Sequence, residues 1–402
     1  MKFTEGGVCA AKGFQAGAMR CGIRKSQTKK DLAMIRSDVL CNAAAVYTLN
    51  RVKAAPVLLT KEHLADGKAQ AVIVNSGNAN ACAPFGIENA RREAKAAARA
   101  LGVREEDVIV ASTGVIGQTL PIEAIEEHAG SMEMKYGNSL TAAEAIMTTD
   151  TKVKTIAVEF EAGGVSCRMG GICKGSGMIH PNMGTMLCFI TTDCAISPEL
   201  MKKALLHNVA KTFNRVTVDG DTSTNDMCAV LANGLAGNPE ITAEGSDYEA
   251  FREALQAVME DLARKIAADG EGAGRLMTCT VCGAADEAAA ETMAKSIASS
   301  SLVKAAMFGA DANWGRVLCA MGYSGAVFDT ERVRIEFASK AGRIAVCENG
   351  RGLDFDETLA KEILSQDEVE ILAVLEEGEG RATCWGCDLT YDYVKINGDY
   401  RT

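Results

Sequence analysis

Proline is scarce in this chain, six residues in 402, and no stretch reads as a linker. The absence excludes a string of loosely tethered modules and predicts one large domain or two intimately packed ones. Positive charge is also short: 42 Lys and Arg face 53 Asp and Glu, for a net charge of -11. With no concentrated basic run to follow a phosphate backbone, nucleic acid is excluded as the expected partner. No apolar stretch approaches the ~20 residues that span a bilayer, and the opening Met1-Lys2-Phe3-Thr4-Glu5-Gly6-Gly7 has no apolar signal region. These absences predict a cytoplasmic protein with no membrane partner. Internal repeats and low-complexity tracts are missing too.

Cysteine, by contrast, is plentiful: fifteen residues are scattered from Cys9 to Cys387. An odd number without a secretion signal argues for reduced thiols used as small core residues rather than a disulfide framework. Two pairs, Cys279-x-x-Cys282 and Cys384-x-x-Cys387, have the spacing of half a zinc site. The first lies in Leu276-Met277-Thr278-Cys279-Thr280-Val281-Cys282, which reads as a strand, where positions three apart face opposite sides. The second lacks the strand-to-helix context that lowers a thiol pKa. Neither metal nor redox cofactor is therefore expected.

Strand and helix patterns are mixed throughout, predicting an α/β (mixed α+β) protein. Ala69 to Val74 and Asp107 to Ala111 read as buried strands, Glu88 to Leu101 as a helix stopped by Gly102, and Thr141 to Met147 as a short helix. Strands follow over Lys154 to Phe160, Val165 to Ile172 and Val216 to Val218. Ser197-Pro198-Glu199 opens a helix to about Phe213, and Ser246-x-x-Glu249 reads as a capping box for a helix to about Ala268. The tail from Tyr393 stays partly apolar and is expected to dock. Both early strands run into small polar clusters, Asn75-Ser76-Gly77-Asn78-Ala79-Asn80 and Ser112-Thr113-Gly114-Val115-Ile116-Gly117. Backbone N–H groups can approach a ligand closely there. Asp219-Gly220-Asp221-Thr222-Ser223-Thr224-Asn225-Asp226 lacks the glutamate a calcium loop needs and reads as a structural or active-site loop.

The chain is organised around residues 174–193. A glycine-rich segment ends at Pro181-Asn182-Met183-Gly184, and at Thr185 the sequence turns into the apolar run Met186 to Ile190. For an isolated Gly-Thr pair, a threonine that merely starts a strand is the simpler account. If the bond before Thr185 were cut, however, the new terminus would hold a hydroxyl nucleophile beside its own amine as base.

Lys174-Gly175-Ser176-Gly177-Met178-Ile179, Pro181-Asn182-Met183, Thr185-Met186-Leu187 and Phe189-Ile190-Thr191-Thr192-Asp193 closely resemble the self-cleavage segment of the ornithine acetyltransferase (glutamate N-acetyltransferase) family. The clusters at 75–82, 112–117 and 219–226, with Tyr393-Val394-Lys395-Ile396-Asn397 and Asp399-Tyr400-Arg401-Thr402, look like that family's motifs in the same order. The resemblance covers essentially the whole chain. It implies a layered fold of the N-terminal-nucleophile type and a precursor cut at Gly184-Thr185. The products would be an α chain 1–184 and a β chain 185–402, intimately packed, commonly two of each. It further implies acetyl transfer from N-acetylornithine to glutamate through acetyl-Thr185. Thr113 and Gly114 would form the oxyanion hole, and Thr148, Lys174, Thr185, Glu271, Asn397 and Thr402 would contact substrate. Lys174 suits the α-carboxylate and Glu271 the ornithine ammonium. Acetyl-CoA use, and peptide cleavage by an aminopeptidase of related fold, stay open as alternatives. Gly184 stands where alanine is commoner in the family, and His180 where a small residue is usual.

Overall fold

A computed structural model describes residues 1–180 and 186–398, which form two compact units. The first takes in 1–175, 186–214 and 222–262, and the second 176–180, 215–221 and the chain from 263 onward. Among the described residues the first unit holds β1 (Lys2–Thr4), β2 (Phe14–Met19), β3 (Leu32–Tyr47), β4 (Lys68–Asn78), β5 (Val108–Val115), β6 (Lys154–Ala162), β7 (Val165–Lys174), β8 (Leu187–Thr192) and β9 (Met227–Ala232). They form one sheet in the order β1-β6-β7-β8-β9-β3-β4-β5, with β2 pairing β3. The β8–β9 and β4–β5 pairs are parallel, and the others are antiparallel.

Alternate residues of the central strands serve two cores. Ala33, Ile35, Val72, Val74, Ile109 and Ala111 fill one, while Leu32, Met34, Ala71, Ile73, Val108 and Val110 fill the other. Burial on both faces explains why these strands read as unbroken apolar runs. The helices of this unit are α1 (Ala55–His63), α2 (Gly86–Leu101), α3 (Ile122–His128), α4 (Ser139–Ile146) and α5 (Pro198–Lys211), and the long α6 (Ser246–Ala268) starts in it. Ala90, Ala94, Ala97 and Leu101 of α2 recur at helical spacing and cover one core, while Ala142, Ala143, Ala145 and Ile146 of α4 cover the other. Gly102 ends α2 in the left-handed region (φ 68°), and Ser197 Oγ caps α5 by accepting from Leu200 N–H at 3.3 Å.

The second unit is built on β10 (Leu276–Ala284), β11 (Arg334–Ser339), β12 (Gly342–Glu348), β13 (Arg351–Gly352), β14 (Glu368–Val374) and β15 (Gly380–Cys387), in the order β13-β12-β11-β14-β10-β15. Its helices are α7 (Glu287–Ser299), α8 (Ser301–Phe308), α9 (Trp314–Gly322), α10 (Glu357–Leu364) and α11 (Tyr391–Gly398). Ala290, Met293, Ala294 and Ile297 of α7 pack on Met277, Cys279 and Val281 of β10.

The mixed α/β class is as the sequence predicts, with three local corrections. Val216 to Val218 contributes only one bridge, Val216 to Trp385, because Val218 N–H is used by Ile179 O at 2.7 Å. Ser246 is the first residue of α6 rather than a cap in front of it, and the Glu249 carboxylate pairs with Arg252 at 2.8 Å. The tail is the helix α11 and docks only in part: Tyr391 is 83% and Val394 68% exposed, but Tyr393 and Ile396 are half-buried and the Tyr391 ring meets Phe308 edge-on at 5.5 Å. Tyr393 and Ile396, three apart, share the half-buried side of this helix, and Tyr391 and Val394 share the exposed one.

Candidate active site

In the first unit the parallel strands β4 and β5 end side by side. A register shift at Gly77/Asn78 brings Gly114 against the neighbouring backbone with φ +133°. A Cβ there would lie 2.3 Å from Gly77 C and 2.6 Å from Asn78 N, so only glycine fits. The asparagines of the first cluster fasten these strand ends. Asn75 Nδ2 donates to Asn78 O at 2.9 Å, Asn78 Nδ2 to Gln118 O at 3.1 Å, and the Asn80 N–H to Asn78 Oδ1 at 2.7 Å. From the 219–226 segment, Asn225 Nδ2 donates to Ala79 O and Ser112 O at 2.7 and 2.8 Å. Thr113 is thereby held at the strand end with its side chain half-buried.

Lys174 closes β7, buried at 8% exposure, and its Nζ donates to Thr113 Oγ1 at 3.3 Å. The centre of this group is Asp150. One carboxylate oxygen accepts from Lys154 Nζ and from the Gly175 N–H, each at 2.7 Å. The other accepts from the Thr148 N–H at 3.0 Å and stands 4.0 Å from Lys174 Nζ. Burial alone would raise this carboxyl; Lys174, Lys154 and the Gly175 N–H outweigh it and hold Asp150 well below the usual carboxylate range. Thr113, Thr148 and Lys174, distant in sequence, are thus brought together. Asp226 faces Lys174 as well, but burial raises its carboxyl well above the ordinary value, against the opposing pull of the Ser223 hydroxyl and Lys174. Asp150 and Lys154 went unread in the sequence; the signal available was an acid closing Thr148-Thr149-Asp150 four residues before a lysine that opens a strand.

The second unit holds the other group. Glu271 is buried at 6% exposure, its N–H donating to Ser176 O at 3.0 Å, and Asn397 Nδ2 donates to Glu271 Oε2 at 2.7 Å. Gly177 passes so close that a Cβ would sit 2.3 Å from Glu271 Cδ, which explains one glycine of the Gly-Ser-Gly run. Asp219 receives the Met178 and Ile179 N–H groups at 2.6 and 2.8 Å, making the acidic segment a brace for the stretch leading to Pro181. His180 lies against Thr217 Oγ1 at 3.0 Å; burial, then Lys295, lower its pKa, and Asp219 opposes them. That favours a neutral ring in a structural contact at this position.

Gly184, Thr185 and Thr402 lie outside the described residues. The two Cys-x-x-Cys pairs lie on paired strands, Cys279 opposite Cys384, but Cys282 faces Arg381 and Cys387 faces Leu276. The outer thiols are therefore roughly 10 Å along the ladder on either side of the central pair. Among the described residues no group of three or more His, Cys, Asp or Glu could hold a metal ion, and no helix is long and apolar enough to cross a membrane.

Three comparisons bear on this arrangement. The family model described as the ArgJ family matches residues 15–402. The arginine biosynthesis bifunctional protein ArgJ of Caldanaerobacter subterraneus is 49% identical over 405 residues, and its namesake in Symbiobacterium thermophilum 50% over 406, each match covering 100% of both chains. A crystal structure of the protein of that name from Bacillus halodurans is 47% identical, covers 52% of this chain and 96% of that one, and superposes with a TM-score of 0.49. With its sequence matched from Gln15 to Thr402 and its full-length relatives half identical, the chain belongs to the ArgJ family.

Proposed function

We propose that this chain is an acetyltransferase of arginine biosynthesis, which matures by cutting itself at Gly184-Thr185 and carries acetyl from N-acetylornithine to glutamate on Thr185. The observation that carries the reading is the buried Lys174 ammonium 3.3 Å from Thr113 Oγ1, a fixed cation beside the proposed oxyanion donors. Both substrates bear an α-carboxylate, and a buried cation is retained where an anion arrives to pair with it.

In maturation, Thr185 Oγ adds to the Gly184 carbonyl carbon and the C–N bond breaks toward the Thr185 nitrogen. Water then hydrolyses the resulting ester, leaving a Gly184 carboxylate and a free Thr185 amine. Glycine before the cut puts no side chain in the path of the attack, though its wider conformational range populates the reactive geometry less often. In turnover, that amine takes the proton from Thr185 Oγ as the oxygen attacks the acetyl carbon. The Thr113 and Gly114 N–H groups receive the oxyanion, a donor of this kind contributing about 3–4 kcal/mol. The bond to ornithine breaks with the proton passing to its amine. Glutamate's amine then attacks the acetyl ester and restores the threonine hydroxyl. Lys174 binds the α-carboxylate, Glu271 the ornithine ammonium, and Thr148, Asn397 and Thr402 offer neutral hydrogen bonds. The mature enzyme is read as two α and two β chains.

The relatives' name, a bifunctional protein, favours a second activity in which acetyl-CoA is the donor. Intact mass of the purified protein tests the mechanism. Two chains, the second beginning at Thr185, are expected from wild type, and one inactive chain from Thr185→Ala. An uncut wild-type chain fully active on N-acetylornithine would overturn the proposal. The same preparation assayed with glutamate and either donor reads both activities.

A further inference from the structure

We propose that Lys154 is a positioning residue that sets the charge of the carboxylate-binding site, neutralising Asp150 so that the Lys174 cation stays available to an anionic substrate. The inference rests on the reading of Lys174 as the carboxylate-binding group.

Lys154 opens β6 at 1% exposure, opposite Cys173 and next to the strand end that carries Lys174. A lysine is rarely buried this fully unless paired, and the partner here is Asp150 at 2.7 Å. Asp150 accepts hydrogen bonds from Lys154, Gly175 and Thr148, which favour its ionised form, and an ionised Asp150 4.0 Å from Lys174 would by itself cancel that lysine. The charges facing one another are two ammonium groups and one carboxylate. Burial raises the Asp226 carboxyl and, with Lys154 opposing and Asp150 adding to it, the Cys173 thiol, which favours their neutral forms and leaves both outside the balance. One positive charge is left over, matching one α-carboxylate. Without Lys154 the group is neutral and the site loses its attraction for an anion while keeping its hydrogen-bond donors.

The consequence is read as preference for a carboxylate over a carboxamide, the ratio of kcat/KM for N-acetylornithine to that for its α-carboxamide, measured within one preparation. A variant that merely loosens the fold slows both substrates alike and leaves the ratio unchanged. Lys154→Met is expected to lower the ratio by about tenfold or more, the order of effect of a unit charge several ångströms away at an effective dielectric of ~20. Lys154→Arg should keep it, and Lys154→Met with Asp150→Asn, which restores the single surplus charge, should recover it relative to Lys154→Met alone. Lys154→Gln, neutral but able to donate to Asp150, replaces Lys154→Met if that variant does not fold. An unchanged ratio in the neutral variants, or a double variant below the single, overturns the inference. A wild-type enzyme that does not turn over N-acetylornithine instead overturns the function on which the inference rests.

Discussion

Glu93 lies on α2 with 0% exposure, and neither carboxylate oxygen has a hydrogen-bond partner among the described residues. Burial alone raises its pKa well above the ordinary carboxyl value, so the folded protein holds a proton that the unfolded chain releases. Between the two pKa values the folded state binds more protons, and stability therefore falls as pH rises through that window. Glu93→Leu removes both the orphaned acid and this slope. We expect a gain of about 1–3 kcal/mol at neutral pH, seen as a raised Tm whose advantage over wild type shrinks toward acid pH. Nothing in the spacing marks this acid, because Glu93 in an alanine-rich, charged stretch looks like any solvated face residue. Lys174 and Thr113 were singled out by the resemblance of their motifs, and the structure brings their side chains to 3.3 Å. Asp150 and Lys154 were not, since their meaning lies in hydrogen bonds that spacing does not encode.

The paired ends of β4 and β5 show the same division at the level of elements. Both strands were legible from their apolar runs, and both polar clusters were recognisable as places where backbone could approach a ligand. The bulge that packs Gly114 on Gly77 was hidden, because it depends on the register between two strands separated by α2. Gly114→Ala is expected to strain the backbone by about 1–3 kcal/mol from its φ alone, with the clash against Gly77 added. A lowered Tm together with a loss in kcat of roughly 10²–10³, as for removal of an oxyanion donor, is the expected outcome of thermal melts and steady-state kinetics. Normal turnover would remove Gly114 from the proposed role. The tail, expected to dock through its apolar residues, is held at α11 by Asn397 on Glu271 as well as by the half-buried Tyr393 and Ile396, a polar contact that its apolar pattern does not encode.

At the scale of the molecule, the proposed cut does not fall between the compact units. β7 precedes Thr185 and β8 follows it, yet they pair in register from Lys174 opposite Leu187 to Met169 opposite Thr192. β9 then joins β8 to β3, so residues from before and after the cut alternate through a single sheet. No composition shift in the sequence marks this interleaving, and the mixed class was legible while the order of strands was not. An uncut chain closes the β7–β8 hairpin as an intramolecular event, whereas two separate chains must first meet and pay the entropy of association. Thr185→Ala should therefore refold from denaturant with a yield independent of protein concentration, and the cut enzyme with a yield that rises with concentration and competes with aggregation of exposed strand edges. Equal, concentration-independent recovery of both would show that the link plays no part. If the difference is found, the linker before Thr185 acts as a single-use assembly device, and the mature enzyme persists because unfolding is slow, a kinetic memory of a connection it no longer has.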